Sequence, residues 1–467
     1  MLPFARYPSL RSYLRFVRDV VFQQSVNGVS EGAPSRITLV MGNPSADLDS
    51  FISAVTLSYF YNHAAHTRDT IFIPLLNMPK TPSTDLWRLR PEFGVALRLA
   101  TAKAKEQPSD SQAREQEKEL LNQVLTVKDL LDWDDTRPEL KDVFRPDLAE
   151  STSSKQQIIL VDHNAPSVTV PKVPSSAILA GLEIVGCIDH HMEENVVPQE
   201  ADPRIVTTGI GSCTTLVVNH LRKSRIWPGV LDDEQTTAIR ELARLALAPI
   251  LVDTHNLKAS GEKCSDLDRG TTGALEVEIS SSTMFGVKSN WNRDNFYDPI
   301  IGAKLTALDL LNAQEMFERD YKSWIEGSIE IGISSLVRPI PWLVDHVGGA
   351  DKLAAEIRTF ANRMQDEQTA DGVVFDVFVL LTPGADRGKE VLLVTFSEKA
   401  AKSIEVFEQK SESLGLQTWD NERSDEVSSS LKDEFGEGYK IWWMTQREKT
   451  RKQGAPLVRE AVAAIQK

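Results

Sequence analysis

A chain of 467 residues can build two or three domains with complete cores. Its 67 acidic against 52 basic side chains leave a formal net charge of −15, which argues against a dedicated duplex DNA or RNA binder, because phosphate neutralisation dominates such binding. Three cysteines without a CxxC pair (Cys187, Cys213, Cys264) suit a reducing compartment, and no apolar run reaches membrane-spanning length, so no membrane partner is expected.

The N-terminal segment "MLPFARYPSLRSYLRFVRDVVFQQ" carries Arg6, Arg11, Arg15 and Arg18 with no acid before Asp19. It reads either as an organelle-targeting helix or as an amphipathic helix that packs Leu10, Leu14, Phe16 and Val20 on the first domain. Packing is preferred, because the segment is poor in serine and has no clear cleavage region. The expected location is therefore cytoplasmic, with a mitochondrial one as the alternative.

From residue 36 to about 260, strand-like runs alternate with helical ones, the pattern of a mostly parallel α/β sheet flanked by helices. "RITLVMG", "TIFIPLLNM", "QIILVD" and "EIVGCID" read as strands, "SCTTLVVNHLRKS" and "DEQTTAIRELARLALAPI" as helices. Residues 101–156 break the rhythm; they are charged and low in aromatics, which predicts a solvated helix or mobile excursion of little chemical weight. The pattern loosens again over 257–297. Beyond it, "SIEIGISSLV", "VVFDVFVLL", "KEVLLVTF" and "YKIWWMTQ" read as strands, "ADKLAAEIRTFANRM" and "PLVREAVAAIQ" as helices. The expected organisation is a first domain over 1–275, a linker or insertion over 276–297, and a smaller α+β domain over 298–467.

The chemistry concentrates at the ends of apolar runs. "VMGNPSADLDSFISA" (40–54) places Asn43, Asp47 and Asp49 just after the first strand, with Ser50 read as the cap of the following helix. Open α/β sheets bind ligands at that end, and two carboxylates in one loop repel unless a cation lies between them. A polar turn with a helix cap is the plainer reading of this stretch alone. "QIILVDHN" ends in Asp162 and His163, "EIVGCIDHHM" in Asp189, His190 and His191, and "LALAPILVDTHN" in Asp253, Thr254 and His255. Each of these is read as a strand tip. A core needs no carboxylate at every strand tip, so the recurrence favours a ligand site. Carboxylates with a histidine suit magnesium, manganese or cobalt, and two such ions about 3.5–4 Å apart would clamp the oxygens of a phosphoryl transfer. His63, His66, His220 and His346 lack metal spacing and are expected to be structural, as are the cysteines. His163 and His255 adjoin the candidate ligands, which allows an orienting or substrate role.

"DHH" at 189–191, with "NPSADLDS", "VDHN" and "PILVDTHN" in that order, resembles the DHH phosphoesterase superfamily over nearly the whole chain. "RDYKSW" (319–324) and "TRKQGAPL" (450–457) resemble its type-2 associated domain, which marks the branch of family II pyrophosphatases, prune-like proteins and fungal-type cytosolic exopolyphosphatases. The glycine-rich GGGH motif of the RecJ-like branch is absent. Pyrophosphatases begin the first motif with histidine; Asn43 stands there, as in the exopolyphosphatase and prune-like members, and chain length and "GSCTT" (211–215) also suit the exopolyphosphatase. The resemblance implies two divalent metals, magnesium first, then manganese or cobalt. Asp47 and Asp162 would bind one ion with Asn43 beside it; Asp49, Asp162, His190 and Asp253 would bind the other. His191 would meet the terminal phosphate, with Asp189 orienting its neighbours. Lys322, Arg451 and Lys452 match substrate-binding basic positions, Arg451 as a fork and the lysines as point charges; Arg447 and Lys449 of the same run read equally well as a solvated face.

The implied fold is an N-terminal DHH domain plus a C-terminal α+β domain, with the active site in the cleft between them and hinge closure over substrate. The implied activity is removal of terminal orthophosphate from inorganic polyphosphate. A prune-like short-chain polyphosphate, nucleoside tetraphosphate or cyclic nucleotide phosphodiesterase, or an inorganic pyrophosphatase, is the rival, and a non-catalytic scaffold a distant third. Polyphosphate and other phosphoanhydrides are the expected partners, with no nucleic-acid duplex, and the chain is expected to be a monomer.

Overall fold

The computed structural model describes residues 7–22, 36–64, 70–102, 108–147, 155–227, 236–280, 291–368, 372–384 and 387–466. The chain divides into two compact units, Met1–Lys304 and Leu305–Lys467.

In the first unit, β1 (Arg36–Met41), β2 (Thr70–Leu75), β3 (Gln156–Val161), β4 (Leu182–Asp189) and β5 (Arg204–Val206) form one parallel sheet in the order β2-β1-β3-β4-β5. The β-branched stretches of β1 and β3 are buried in their last four residues, as expected of strands covered on both faces. Because the strands run parallel, the loops after β1, β3 and β4 emerge at the same edge. The helix Leu48–His63 leaves β1 directly and buries every residue except Asn62, so it is a core helix and not an amphipathic surface one. β5 escaped the sequence reading because three residues carry too little pattern.

Three expectations need correction. Asp253 does not end a strand: the helix read through "LALAPI" is present and continues to Asp253, as Thr236–Asp253 with Pro249 inside it. Leu242, Leu245, Leu247, Ile250 and Leu251 are fully buried, and an apolar run buried on all sides loses the periodicity that separates helix from strand. The 101–156 region is not a solvated excursion throughout. Its helix Asp110–Leu121 is solvated along most of its length, but Leu120, Leu121, Val124, Leu125, Val127, Leu130, Leu140 and Phe144 join the core of the first unit. Over 257–297 the structure builds the helix Asp266–Ser280, with Leu275 and Ile279 buried, and starts another at Arg293 (Arg293–Thr306); residues 281–290 lie outside the described residues.

The basic N-terminal segment forms the helix Leu10–Val21, capped by Ser9, with Leu10, Leu14 and Val20 buried as expected and Tyr13, Val17 and Val21 beside them. Phe16 is partly buried against the same core. Arg18 donates to the Val124 carbonyl (3.3 Å) and lies over the Trp133 ring, tying this helix to the 108–147 region. Among the described residues no helix is long and apolar enough to cross a membrane.

The second unit holds a mixed sheet in the order β10-β11-β9-β8-β7-β6, built from β6 (Tyr321–Glu326), β7 (Ile329–Ser335), β8 (Val374–Pro383), β9 (Lys389–Thr395), β10 (Leu416–Thr418) and β11 (Tyr439–Met444). Only β7 and β8 pair in parallel. β6, an edge strand with exposed alternate residues, takes up the end of "TALDLLNAQEMFERDYKSW", a run whose sequence reads as helical, and the three-residue β10 is an addition. The helix Arg451–Ala464 packs on this sheet, burying Ala455, Val458, Ala461 and Val462.

The core role of the 108–147 region predicts that Leu130→Ala lowers unfolding free energy by about 2–5 kcal/mol. Glu115→Ala, on the solvated face, should stay within about 0.5 kcal/mol. Denaturant unfolding of both variants measures this; two equally small losses would return the region to the surface.

Candidate active site

The loop after β1 is drawn tightly onto the following helix. Gly42 has no room for a side chain: a Cβ there would lie 2.4 Å from Ser50 Cβ. The N-cap of Leu48–His63 is Asp47, whose Oδ1 accepts from Ser50 N–H (3.0 Å), and not Ser50 as the sequence suggested. Ser50 is thereby released for another task. Its Oγ accepts from Asn43 N–H (3.2 Å) and donates to Asp162 Oδ2 (2.7 Å), joining the ends of β1 and β3.

Asp162 follows β3 with a left-handed backbone (φ 63°), a conformation aspartate tolerates better than most residues. Besides Ser50, its Oδ2 accepts from Asn43 Nδ2 (2.7 Å), while His190 Nε2 stands 3.1 Å from Oδ1. Burial, then the negative charges of Asp47 and Asp49, push this carboxyl up to about 7 against the pull of His190.

Asp49, in the first turn of its helix, is 3% exposed. It accepts from Ser212 Oγ (2.8 Å), Cys213 N–H (2.6 Å), Thr214 N–H (2.9 Å) and Thr214 Oγ1 (2.7 Å), the first residues of the helix Cys213–Lys223 and its N-cap. A carboxylate there meets orphan N–H groups and the positive end of the helix dipole. "GSCTT" was noticed in the sequence, but nothing in its spacing announces a partner 163 residues away.

β4 ends on Asp189, fully buried, which accepts from His191 Nδ1 (2.7 Å) and Asn164 Nδ2 (2.6 Å). Burial alone would raise the Asp189 carboxyl, but these hydrogen bonds and the two imidazoles hold it well below the ordinary carboxylate range. Asn164, which the sequence reading passed over, also donates to the Met192 carbonyl (2.9 Å) and so sets the loop after the two histidines. His190 donates from Nδ1 to the Ile210 carbonyl (3.0 Å), which turns Nε2 toward Asp162 and, at 4.0 Å, Asp49. A histidine held by one nitrogen with the other facing carboxylates has the arrangement of a metal ligand and its outer partner.

Asp253 reaches the same place from the end of its helix. Burial, and then the charges of Asp49, Asp47 and Asp162, push its carboxyl well above the usual value, against an opposing effect of Lys304. His163, two residues past β3, donates from Nδ1 to the Val161 carbonyl (3.0 Å), and His255 is exposed in a left-handed turn. His63, His220 and His346 bond to Tyr59 O, Tyr61 Oη and Leu311 O, while His66 lies outside the described residues. The three cysteines are free and buried.

The residues fit divalent ions. Asp162, His190 and His191 each offer a ligand atom, all within 4.8 Å of one another. Asn43 is 1% exposed, and its Oδ1 is a buried acceptor without a hydrogen-bond partner, an uncommon and costly state that a cation relieves. Oxygen and imidazole donors without thiolate suit magnesium, manganese or cobalt.

In the second unit Lys322 lies on β6, while Arg451 and Lys452 open the last helix behind the Thr450 cap. The Arg451 fork is already engaged, donating to Asp320 O (2.6 Å) and Oδ1 (2.8 Å). Lys389 donates to the carbonyls of Arg447 and Lys449 (2.5 Å each) and so fixes the loop before that helix.

Residues 37–250 match the DHH family, N-terminal domain, and residues 301–461 match the DHHA2 domain. The chain carries a DHH-family N-terminal domain followed by a DHHA2 domain. It is 25% identical to the Schizosaccharomyces pombe protein named "Putative exopolyphosphatase" over 460 residues, 98% of this chain and 99% of that one. It is 23% identical to Exopolyphosphatase PRUNE1 of Rattus norvegicus over 318 residues, 68% of this chain and 56% of that protein. A crystal structure from Methanococcus jannaschii, "putative family II inorganic pyrophosphatase", aligns over 91% of this chain and 99% of that chain, with 19% identity and a TM-score of 0.48. The DHH protein described here is thus a phosphoesterase, a hydrolase of a metal-dependent family.

The raised Asp162 carboxyl has a consequence for stability in metal-free DHH protein. A carboxyl held near 7 when folded and near 3.8 when unfolded stabilises the fold fully below the unfolded value, and that contribution is lost as pH rises through about 7. Asp162→Asn keeps the shape, tolerates the left-handed backbone and does not titrate. In the presence of a chelator, the stability of wild type relative to this variant should fall by up to a few kcal/mol between pH 5 and pH 7.5. A pH-independent difference would contradict the charge crowding described above.

Proposed function

We propose that the chain is an exopolyphosphatase that removes terminal orthophosphate from inorganic polyphosphate, using two divalent ions, magnesium foremost. The observation that carries this reading is Asn43. It stands where the pyrophosphatase branch has histidine, with Nδ2 on Asp162 and a buried, unpartnered Oδ1. The end-to-end match to the Schizosaccharomyces pombe protein supports it.

In this reading Asp47, Asp162 and Asn43 hold one ion, and Asp49, Asp162, His190 and Asp253 the other. When bound, such ions polarise phosphoryl oxygens and lower the pKa of water. The side chains set up that chemistry in advance. The "GSCTT" cradle keeps Asp49 in one orientation, and Ser50 with Asn43 does the same for Asp162. Asp189 fixes the Nδ1 proton of His191, so contact with the terminal phosphate falls to Nε2. Lys322, Arg451 and Lys452 meet the outlying phosphates, with Arg451 pre-oriented by Asp320. An oxygen donor at residue 43 suits magnesium better than imidazole does.

Phosphate release from long polyphosphate, tripolyphosphate, pyrophosphate, a nucleoside tetraphosphate and cyclic AMP, each with magnesium, manganese or cobalt, tests the proposal. Long polyphosphate should be the best substrate, Asp49→Ala and Asp253→Ala should abolish turnover, and Arg451→Ala should raise KM for polyphosphate more than for pyrophosphate. Preference for pyrophosphate, the nucleotide or cyclic AMP would transfer the chain to the rival activities. Release from none of them would leave the scaffold reading.

A further inference from the structure

We infer that Asp268 is a positioning residue for Asp49, acting through the turn at 211–215; this rests on the two-metal reading above. Asp49 is oriented less by its own helix than by the start of another. Its Oδ1 takes Ser212 Oγ, Thr214 N–H and Thr214 Oγ1, and its Oδ2 takes Cys213 N–H. That start carries no side-chain cap of its own: Ser212 occupies the N-cap position but makes no capping hydrogen bond, and its hydroxyl donates to Asp49 instead. A helix end deprived of its cap needs support from elsewhere.

Asp268 supplies that support. It is fully buried in the helix Asp266–Ser280, between the two matched family segments. Its Oδ2 accepts from Gly211 N–H (2.9 Å) and its Oδ1 from Thr215 Oγ1 (2.6 Å), so one carboxylate grips both ends of the turn. Ser265 N–H and Oγ, both at 2.7 Å from Oδ2, lock the carboxylate to the start of its own helix. The contact is close-packed: a Cβ on Gly211 would lie 2.5 Å from the Lys263 carbonyl and 3.1 Å from Asp268 Oδ2. A side chain far from Asp49 in the chain thus sets the tilt of the turn that Asp49 leans on, and with it the direction in which Asp49 offers its oxygens. Without Asp268, the Gly211 N–H and Thr215 hydroxyl lose a buried acceptor, and the turn must shift to recover one.

The test is calorimetric titration of manganese into metal-free full-length protein, with thermal unfolding of each sample. Wild type should bind two ions, and Asp49→Asn identifies the binding event that depends on Asp49. Asp268→Ala and Thr215→Val should weaken that event about tenfold or more, the usual effect of losing an outer partner, and leave the other unchanged. Asp268→Asn, which keeps an oxygen and the shape, should recover most of the loss. Asp376→Ala removes a buried carboxylate that accepts from Phe396 N–H and Ser397 Oγ in the second unit; it should lower thermal stability and change neither event. Should Asp268→Ala fail to fold, Thr215→Val decides. Wild-type affinities in Thr215→Val, or equal weakening of both events, would overturn the inference. Fewer than two ions in wild type would instead overturn the two-metal reading.

Discussion

Four aspartates, Asp47, Asp49, Asp162 and Asp253, act on one another electrostatically at one edge of one parallel sheet, and most of what is particular about the first unit follows from that crowding. Like charges brought together out of water raise one another's pKa and destabilise the fold unless something offsets them. The offsets here differ from residue to residue. Asp49 is met by a helix start and hydroxyls, and Asp189, beside the group, by two imidazoles and an amide. Asp162 and Asp253 remain pushed upward. The unresolved repulsion falls on these two, which the two-metal reading makes ligands. A site that was fully neutralised by its own protein would have no use for a cation.

The scaffold makes such crowding affordable. Parallel strands deliver three loops to one edge, the core helix Leu48–His63 fixes the first of them, and Gly42 permits the approach that lets Ser50 bridge two strand ends. The 108–147 region and the N-terminal helix add to the apolar core of the same unit, and that burial helps offset the cost of the crowding.

Much of this was legible in the sequence, for reasons that also mark the limit. β1 to β4 announced themselves as short β-branched runs, and the polar residues at the ends of β1, β3 and β4 stood out because a buried strand seldom stops on a carboxylate. Asp253 was found for the wrong structural reason: a helix buried on all sides reads like a strand. Asp47 was seen but not as a cap, because aspartate and serine cap about equally well and Ser50 stands directly before the apolar run. The cradle around Asp49, the Asn164 hold on Asp189 and the Asp268 grip were not legible. Each joins segments distant in the chain through single serines, threonines or amides, residue types too common in loops to signal a partner. The 108–147 region misled through its composition, since the charged face of one helix masked the apolar residues that follow it.

The claim on which everything else depends is that this acidic edge is a two-metal centre with Asp162 shared between the ions. Crystals soaked in manganese, with anomalous difference maps, test it most directly. The account predicts two peaks about 3.5–4 Å apart, both within ligand distance of Asp162, one flanked by Asp47 and the other by Asp49, His190 and Asp253. A single peak, or peaks that leave Asp162 without an ion on either side, would contradict it.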